Sequence, residues 1–542
     1  MEATRKIDTA KEQKPIGAVM VVGGGIGGMQ ASLDLAESGF YVYVVDNSPT
    51  IVGVMAQLDK TFPTNDCSMC IMSPKLVETG RHLNIRIISN AEVETVEGTP
   101  GRFTVTVTKK PRFIRLDKCT GCGECAKHCP VSAIDTYNER MSRRAAIYIK
   151  YPQAIPKVFL IDRELCIGCG LCERVCLAKA VNYGDQQATE NIEVGSIILS
   201  PGYEVFDAHL RQEFGYGSYP NVVSSIEFER LLSATGPHRG HLLRPSDGTI
   251  PERIAFIQCV GSRDSNCGND YCSSICCMYA TKEAIISKEH VHFVKPTIFY
   301  MDVRAFGKGF DAYYERAKSE YGVRFIKCMV SKVREQFKTK NLLITYLDED
   351  GNFVDEEFEL VVLSVGMVPS KQTMEMAKRL GVEIDTYGFC KTKTFEPTST
   401  SRPGIYVCGA FQGPKDIPET VSQASGAVAY ATWKIASARG TMTTKKEYPE
   451  ESDVTAEEPR IGVFVCHCGI NIGGVVNVPS VKEYARALPN VVFVDENLYT
   501  CSTDTQEKIK NAISEHHLNR VIVASCSPRT HEPMFRETIR EG

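Results

Sequence analysis

The sequence lacks the features of several large classes of protein. It contains no apolar run of about 18 residues, so we expect no membrane-spanning helix. Neither sign of charge predominates, since 62 basic residues oppose 66 acidic ones, and this balance implies no general affinity for nucleic acids or anionic membranes. Residues 1–15 are polar and charged without an apolar segment, which argues against a secretory signal and predicts a disordered leader.

Cysteine, by contrast, is abundant, with 22 residues. There is no export signal and the spacings suit metal ligands, so the cysteines favour a reducing, anaerobic cytoplasm over a disulfide-linked secreted protein. The composition, with 43% hydrophobic and 24% charged residues, is that of a globular protein. A chain of this length has room for about three or four domains.

Two runs of four cysteines share the spacing C-x2-C-x2-C-x3-C. They comprise Cys119, Cys122, Cys125 and Cys129, and then Cys166, Cys169, Cys172 and Cys176. In two-cluster bacterial ferredoxins the fourth cysteine of each run binds the other run's cluster. We therefore predict one [4Fe-4S] centre on the first three cysteines of run one with Cys176, and another on those of run two with Cys129. Structural zinc sites are the alternative, disfavoured because they rarely use two matched runs.

A dinucleotide-binding turn lies near the start of the chain. An apolar strand leads into G-x-G-x-x-G at Gly23, Gly25 and Gly28, and a helix over residues 29–38 and a second strand follow. The glycines allow a tight turn, close approach of a pyrophosphate and close helix–strand packing, in that order. Asp46 ends the second strand and is expected to accept hydrogen bonds from ribose hydroxyls.

A later segment favours FAD over NAD as the bound dinucleotide. Residues 402–410 resemble the late strand of flavoproteins with two dinucleotide folds, leading towards a predicted helix over residues 420–438. Most such proteins carry Asp after Gly409, but this chain has Ala410. Lys415 and Asp416 are the polar candidates for the contact that Asp would make.

A second nucleotide-binding turn is missing where such flavoproteins bind NAD(P)H. The predicted strand at 253–258 runs into Cys-Val-Gly-Ser-Arg, and a cysteine cluster follows, comprising Cys259, Cys267, Cys272, Cys276 and Cys277. Cys272 and Cys276 are four residues apart and are predicted to share one face at the start of a helix. Cys276 and Cys277 are adjacent and need a special geometry to act together. We infer that an iron–sulfur centre replaces the nucleotide site; buried free thiols are the alternative.

The C-terminal region carries a further set of cysteines. A polar linker at 440–459 precedes a strand at 460–465, and cysteines stand at the ends of predicted strands or just after them. Cys466, Cys468, Cys501 and Cys526 form a candidate fourth [4Fe-4S] site, because side chains converge at the carboxyl edge of an open α/β sheet. His467 is more readily a neighbouring or surface residue than a ligand.

Three segments of the sequence resemble the A subunit of heterodisulfide reductase. They are MAQLDKTFPTNDCSMCIMSPK at 55–75, CVGSR at 259–263 with YCSSICCMYA at 271–280, and QGPKDIP at 412–418. The resemblance covers residues 16–542. It implies a [4Fe-4S] cluster on Cys259, Cys272, Cys276 and Cys277 beside the flavin, with Cys267 a bystander.

The resemblance also implies roles for single residues. Lys282 is expected near flavin N5, where a cation stabilises anionic reduced flavin; a solvated helical lysine is the alternative. Gly53 belongs to the expected flavin site, and Val52 departs from the Gly usual before it. Cys67 and Cys70 stay unassigned between a redox pair, partial cluster ligands and core thiols.

The expected fold is α/β. A thioredoxin-reductase-like FAD domain (16–109 and 191–439) carries an inserted α+β two-cluster ferredoxin domain (110–190), followed by the linker and an α/β iron–sulfur domain (460–542). In the family the last domain usually precedes the flavoprotein. Its position here favours a fragment of a longer, duplicated chain, with the last domain incomplete; a naturally rearranged protein is the alternative.

The expected function is electron transfer, with bifurcation at FAD between a hydrogenase- or formate-dehydrogenase-type donor, ferredoxin and a disulfide-type acceptor on a partner protein of the same complex. We expect a homodimer within a cytoplasmic complex. A stand-alone NAD(P)H oxidoreductase, like the small subunit of glutamate synthase, and a non-bifurcating relay or wiring scaffold are the alternatives.

Overall fold

The valine-rich segment after the leader forms a strand that is buried along its whole length, as is typical of a parallel strand covered on both faces. The computed structural model describes residues 14–542, so almost all of the predicted leader lies outside the described residues. The first elements in chain order are β1 (Ala18–Val22), α1 (Ile26–Glu37), β2 (Tyr41–Asp46), α2 (Ser68–Arg81), β3 (Ile85–Ser89), β4 (Ala91–Thr99) and β5 (Arg102–Lys109). Helix α1 begins three residues before its predicted start, directly at the glycine turn.

The ferredoxin-like insertion follows β5. Its short elements are α3 (Glu124–Lys127), β6 (Ala133–Asp135), β7 (Ser142–Arg144), β8 (Ile147–Tyr148), β9 (Leu160–Ile161) and α4 (Leu171–Val175). Strands β6 and β7 pair antiparallel, as do β8 and β9. Six of the eight cysteines of the two runs pack against one small apolar core that includes Ile114 and Phe159.

The chain then returns to the flavoprotein domain. The remaining strands and helices of this domain are β10 (Ala188–Val194), β11 (Ser196–Leu199), β12 (Glu204–Val205), β13 (Val222–Ser224), α5 (Ser225–Leu232), β14 (Arg253–Val260), α6 (Cys276–His290), β15 (Lys295–Tyr300), α7 (Phe310–Ser319), β16 (Arg324–Lys327), β17 (Val330–Glu335), β18 (Leu342–Leu347), β19 (Phe353–Phe358), β20 (Leu360–Val365), β21 (Met367–Val368), α8 (Lys371–Arg379), β22 (Ile405–Val407) and α9 (Ile417–Trp433). Helix α9 starts three residues before the predicted residue 420 and ends at Trp433 rather than residue 438.

Two parallel sheets form the body of this domain. The first has the order β22-β11-β1-β2-β3 and the second the order β13-β20-β14-β15-β16. Apolar clusters cover both faces of each sheet, which is why their strands read as continuous hydrophobic runs. Three-stranded antiparallel sheets, β10-β5-β4 and β17-β18-β19, flank them. This arrangement agrees with the expected pair of dinucleotide folds.

The C-terminal region is a small parallel α/β unit. Its elements are β23 (Ile461–Cys466), α10 (Gly469–Ile472), α11 (Val478–Arg486), β24 (Val491–Asn497), α12 (Thr503–His516), β25 (Arg520–Ala524) and α13 (Pro528–Glu541), and its sheet has the order β24-β23-β25. Residues 440–459 form neither helix nor strand. Short 3-10 helices occur at Val54–Gln57, Ala208–Leu210, Gln212–Phe214, Ser265–Cys267, Gly409–Phe411 and Ala436–Ala438. No helix within residues 14–542 has the length and apolar character needed to cross a bilayer.

Arg112 fastens the insertion to the flavoprotein domain. Its guanidinium donates to the Pro49 carbonyl at 2.6 Å and to Ser89 Oγ at 2.9 Å, and a weaker bond of 3.4 Å reaches the Val158 carbonyl in the insertion. Burial lowers its pKa to about 10. The three acceptors would lose their partner if this side chain were apolar.

We therefore expect Arg112→Met to lower the free energy of unfolding by about 1–3 kcal/mol, because buried acceptors left without donors keep their desolvation cost. Limited proteolysis should cut the insertion faster than in the unsubstituted protein. Arg115→Met, at an exposed position three residues on, is the control and should change neither measurement. Equal behaviour of the two variants would contradict the fastening role of Arg112.

Candidate functional site

A cavity of about 610 Å³ opens between the two parallel sheets of the flavoprotein domain. Its walls come from the glycine turn after β1, the end of β2, the segment around Gly53, the helix α6 and the Gly409 loop before α9. The carboxyl ends of parallel strands face this space, which is where open α/β sheets bind ligands. A volume of this size is in the range that proteins use for large organic ligands.

The glycine turn is shaped for a dinucleotide. A side chain on Gly28 would overlap the Gly23 carbonyl, so α1 packs this close to the turn only with glycine there. The amide of Gly24 donates to Asp46 Oδ2 at 2.6 Å, and Asp46 Oδ1 accepts from the Ser48 amide at 2.8 Å. Burial raises the pKa of Asp46, although both amides oppose the shift. The predicted set of residues thus lies at one end of the cavity.

The opposite wall of this end is Gly53. It has a φ of +66° and its Cα lies near that of Gly25, so two backbone segments without side chains face each other. The left-handed conformation falls on Gly53 rather than on Val52, whose side chain is buried in the domain core. The departure at Val52 therefore leaves the backbone unstrained.

Lys415 and Asp416 lie at the cavity but also hold its rim in shape. Lys415 Nζ donates to the Gly409 and Gly413 carbonyls at 3.0 and 2.9 Å and to Gln412 Oε1 at 2.8 Å. Burial lowers the pKa of Lys415 to about 8. Asp416 caps α9 by accepting from the Glu419 amide at 2.8 Å. Their predicted contact with the flavin stays a prediction.

The four cysteines predicted to lie beside the flavin come together around the start of α6. Burial raises the pKa of Cys259 to about 12, and the nearby Cys277 and Cys272 thiols add to the shift. Cys276 Sγ points towards the Val365 carbonyl at 4.0 Å, whereas Cys277 Sγ points towards the Asp302 carbonyl at 3.6 Å.

One expectation about these cysteines is wrong. Cys272 and Cys276 do not share a helix face, because α6 begins at Cys276 and Cys272 lies in the loop before it. The intervening Ser274 has a φ of +62°, a left-handed conformation that a helix cannot contain. Cys267 lies in a separate 3-10 turn and donates to Asp264 Oδ2 at 3.4 Å.

Lys282 lies further along α6, in the cavity wall. The alternative of a solvated lysine is wrong, since its side chain is 2% exposed and forms an ion pair with Glu229 of α5, itself 3% exposed. Glu229 Oε2 also accepts from the Asp59 amide at 2.9 Å. Glu283 lies next to the pair without a hydrogen-bond partner, and burial, followed by the nearness of Glu229, raises its pKa well above the ordinary value.

Sequence reasoning missed Glu229 and Glu283. Their acidic side chains follow the expected pattern of a surface helix, and no spacing in the sequence joins α5 to α6. The sequence did carry a signal for the start of α5, where Ser224 and Glu227 form a capping box, but that signal says nothing about the ion pair with α6.

In the insertion the two cysteine runs adopt matching loops. The glycines at corresponding positions, Gly121 and Gly168, have φ values of +68° and +71°. Cys119 and Cys122 lie near Cys125, and Cys166 and Cys169 lie near Cys172, as the electrostatic effects on the pKa values of Cys125 and Cys172 indicate. The exchange of the fourth cysteine between the runs stays a prediction.

The C-terminal cysteines converge on a second, much smaller cavity. It is lined by six cysteines, namely Cys67, Cys70, Cys466, Cys468, Cys501 and Cys526. Four were predicted as one site; Cys67 and Cys70 join them from the flavoprotein domain. No group of three His, Cys, Asp or Glu side chains in residues 14–542 is tight enough for a single metal ion. The cysteines of the two ferredoxin runs are likewise too far apart to bind a single ion. A [4Fe-4S] cubane is larger than one ion and holds its ligands further apart.

Comparison with known proteins places these features in context. The family model described as pyridine nucleotide-disulphide oxidoreductase matches residues 189–428. The model described as 4Fe-4S dicluster domain matches residues 118–180, the segment that contains both cysteine runs. An oxidoreductase with a flavoprotein fold and an inserted two-cluster domain is thereby confirmed.

Curated relatives cover much of the chain. The second iron–sulfur A subunit of CoB–CoM heterodisulfide reductase from Methanopyrus kandleri is 49% identical over 77% of this chain. The A subunit of the H2/formate:CoB–CoM heterodisulfide, ferredoxin reductase of Methanococcus maripaludis is 47% identical over 75% of it. These matches span 64% and 62% of the two relatives' own lengths. A protein of Archaeoglobus profundus that is described as like the A subunit of heterodisulfide reductase is 41% identical over 86% of this chain and 72% of its own length.

Solved structures are more distant. The thioredoxin reductase of T. acidophilum is 14% identical with a TM-score of 0.43, and the match covers 78% of this chain and 98% of that one.

The glycine turn permits a test that separates folding from cofactor binding. We expect Gly25→Ala to fold normally, since the added Cβ would meet its nearest neighbour, Gly53 Cα, at 4.0 Å. Its flavin affinity should fall roughly tenfold or more, about 1.4 kcal/mol, because the methyl group obstructs the pyrophosphate. Gly28→Ala should instead lose about 1–3 kcal/mol of stability through overpacking.

Flavin content per chain and thermal unfolding measure the two effects. Gly184→Ala is the control, since its Cβ would meet nothing closer than 3.6 Å. Full flavin binding by Gly25→Ala would show that the dinucleotide lies elsewhere.

The buried pair of Lys282 and Glu229 generates a stability prediction. Lys282→Met should lower the free energy of unfolding by about 3–5 kcal/mol, because it leaves a carboxylate buried without its counter-charge. The double variant Lys282→Met/Glu229→Gln should recover more than half of that loss, since Gln carries no charge.

Chemical unfolding of both variants gives the values. The exposed pair of Lys318 and Glu315, 3.2 Å apart on α7, is the control, and Lys318→Met should cost less than about 1 kcal/mol. A loss that the double variant does not repair would show that the charge pair is not its cause.

Proposed function

The chain belongs to the family of heterodisulfide reductase A subunits, and on that premise we propose that it is the FAD- and [4Fe-4S]-dependent electron-transfer subunit of a heterodisulfide-reductase-like complex. In this proposal the flavin exchanges electrons with separate cluster branches, by bifurcation or confurcation. The donor is of the hydrogenase or formate dehydrogenase type, ferredoxin is one partner, and the disulfide-type acceptor lies on another protein of the complex. The names of the relatives that include H2, formate and ferredoxin support these assignments.

The placement of α6 is the observation that carries the proposal. Its first turn holds Cys276 and Cys277, and its next turns present Tyr279, Lys282 and Glu283 to the large cavity. A cluster on the cysteines and a flavin in the cavity would therefore be neighbours along one rigid helix. Such closeness favours direct electron exchange between the two.

The residues fit FAD by their chemistry. Gly23, Gly25 and Gly28 admit a pyrophosphate, and Asp46 offers a carboxylate to a ribose. FAD supplies two-electron chemistry that can be divided into single electrons. Lys282 would place a positive charge in the wall of the cavity, where it could stabilise an anionic reduced flavin. Without that flavin, Glu229 balances the charge.

The insertion supports electron exchange with partners at the surface. Cys122 and Cys169 are exposed, so clusters bound there would lie near the surface. Two apolar side chains beside the second run, Ile167 and Leu177, are 70% and 98% exposed. An apolar surface next to a cluster suits a partner protein. We further propose a homodimer in the cytoplasm, with the 22 cysteines unpaired with one another as a reducing compartment would keep them.

A stand-alone NAD(P)H oxidoreductase is the second candidate, and the turn after β14 disfavours it. At Gly261 the ring of Phe206 lies where an added Cβ would point, so a side chain fills the approach that a pyrophosphate would need. The thiol of Cys259 occupies the first position of the turn. We expect no reduction of the bound flavin by NADH or NADPH.

An anaerobic redox titration of the flavin tests bifurcation. We expect strongly crossed one-electron potentials and no stable flavin radical in the EPR spectrum at any potential, because a bifurcating flavin must release its second electron at once. NADPH addition under the same conditions is the control for the second candidate. A radical that persists over a wide range of potentials would contradict bifurcation and leave a flavin–cluster relay.

A further inference from the structure

The small cavity of six cysteines lies between parts of the chain that are far apart in sequence. Cys67 and Cys70 come from the flavoprotein domain, at the start of α2, and the other four cysteines come from the C-terminal unit. Gln153 of the ferredoxin-like insertion completes the wall and donates to Cys501 Sγ at 3.5 Å. Three units of the protein therefore meet at this one group of sulfur atoms.

The sulfur atoms contact one another across the domain boundary. Cys70 lies against Cys67 on its own side and against Cys526 on the other. Cys468 lies next to Cys466 and near both Cys67 and Cys526. Asn471 of the C-terminal unit donates to Cys67 Sγ at 3.9 Å. Cys67 and Cys70 thus line the same cavity as the four C-terminal cysteines.

Three long helices direct their N-termini at the cavity. Cys67 is the N-cap residue of α2, Cys501 directly precedes the N-cap of α12, and Cys526 directly precedes the N-cap of α13. The partial positive charge of a helix N-terminus favours thiolates and anionic ligands. Two of these helices belong to the C-terminal unit and one to the flavoprotein domain, so both sides contribute to the same electrostatic environment.

His531 adds an independent sign that something binds here. Its side chain lines the cavity and the residue is 2% exposed, yet Nε2 has no hydrogen-bond partner. Its Nδ1 is 3.6 Å from Cys526 Sγ. Cys501 lines the same cavity close to this imidazole. Buried ring nitrogens in native proteins are nearly always satisfied, so an empty cavity would leave an unfavourable group.

We propose that this cavity binds one iron–sulfur cluster whose ligands come from both sides of the boundary, with at least one of Cys67 and Cys70 joining the C-terminal cysteines. This inference rests on the proposed C-terminal cluster and extends its ligand set. Six thiols exceed the four ligands of a cubane, so the remaining sulfurs and His531 lie around the cluster, where they influence its potential.

The position of this cluster gives it a role as a junction. Lys157 of the insertion forms a 2.7 Å ion pair with Asp504 at the start of α12, and Gln153 contacts Cys501. The cluster therefore lies between the ferredoxin-like insertion and the C-terminal unit while drawing ligands from the flavoprotein domain. Electrons can pass between these units without a mobile carrier.

Iron analysis of the full chain tests the proposal. The protein is produced anaerobically, loaded with iron and sulfide, and compared with Cys67→Ala/Cys70→Ala and Cys466→Ala/Cys468→Ala. We expect Cys466→Ala/Cys468→Ala to lose about four irons and four acid-labile sulfides per chain, and Cys67→Ala/Cys70→Ala to lose between about one and four irons, according to whether one or both of its cysteines are ligands. They should lose the same EPR signal from the reduced protein and keep the flavin and the ferredoxin-type signals. Cys67→Ala and Cys70→Ala are also made singly. The variant that removes a ligand should show the EPR signal of a three-iron cluster after oxidation.

Two controls exclude indirect effects. Cys328→Ala/Cys390→Ala removes two thiols that lie outside the cavity, and this variant should keep all the iron. Lys60→Ala removes the 3.4 Å bond from Lys60 Nζ to Asn471 Oδ1 across the boundary without removing a thiol or a residue of the cavity wall, and should also keep all the iron.

The two possible failures are distinguishable. If Cys67→Ala/Cys70→Ala keeps full iron and an unchanged EPR spectrum while Cys466→Ala/Cys468→Ala loses a cluster, the C-terminal unit binds its cluster alone and the inference is overturned. If neither variant loses iron, the C-terminal cluster of the proposed function is also absent. Loss of iron from Lys60→Ala would show that docking, and not ligation, controls the cluster.

Discussion

Helix α2 is the element on which the arrangement of the domains depends. Its N-terminus supplies Cys67 and Cys70 to the small cavity, and Met72 and Leu76 belong to the core of the first dinucleotide fold. The next residue, Val77, faces another way and packs into the core of the C-terminal unit. A single helix thus takes part in two hydrophobic cores, so the C-terminal unit cannot shift relative to the flavoprotein domain without exposing apolar surface.

A comparable constraint acts at α6, where one helix serves two sites. The loop before it has to turn back through Ser274 so that Cys272 can face Cys276 and Cys277, and the helix then directs Lys282 into the larger cavity. Burying a lysine there requires a counter-charge, and α5 supplies it as Glu229. The packing of α5 against α6 is therefore part of the electrostatics of the cavity.

The parts of the fold and of the candidate sites that depend on local residue spacing were predictable from the sequence. The glycine turn with Asp46 and the two ferredoxin runs are short segments in which the chemistry itself sets the residue intervals. Cys272 and Cys276 show the limit, because their spacing of four suggested a helix and a left-handed residue between them prevents it. The partners of Lys282 and of Cys67 are distant in sequence and meet only through tertiary packing, which no periodicity encodes.

The linker at 440–459 shows that contact, rather than covalent connection, positions the C-terminal unit. Its attachments are polar: Lys446 pairs with Glu537 at 2.6 Å, Tyr448 donates to the same carboxylate, and the Thr444 amide donates to Asn84. Exposed pairs of this kind contribute about 0–1 kcal/mol each. The orientation of the unit therefore depends also on the packing of Val77 into its core and on the group of thiols at its edge. A cluster with ligands on both sides would add the metal's own binding energy to that contact and make the docking depend on the metal.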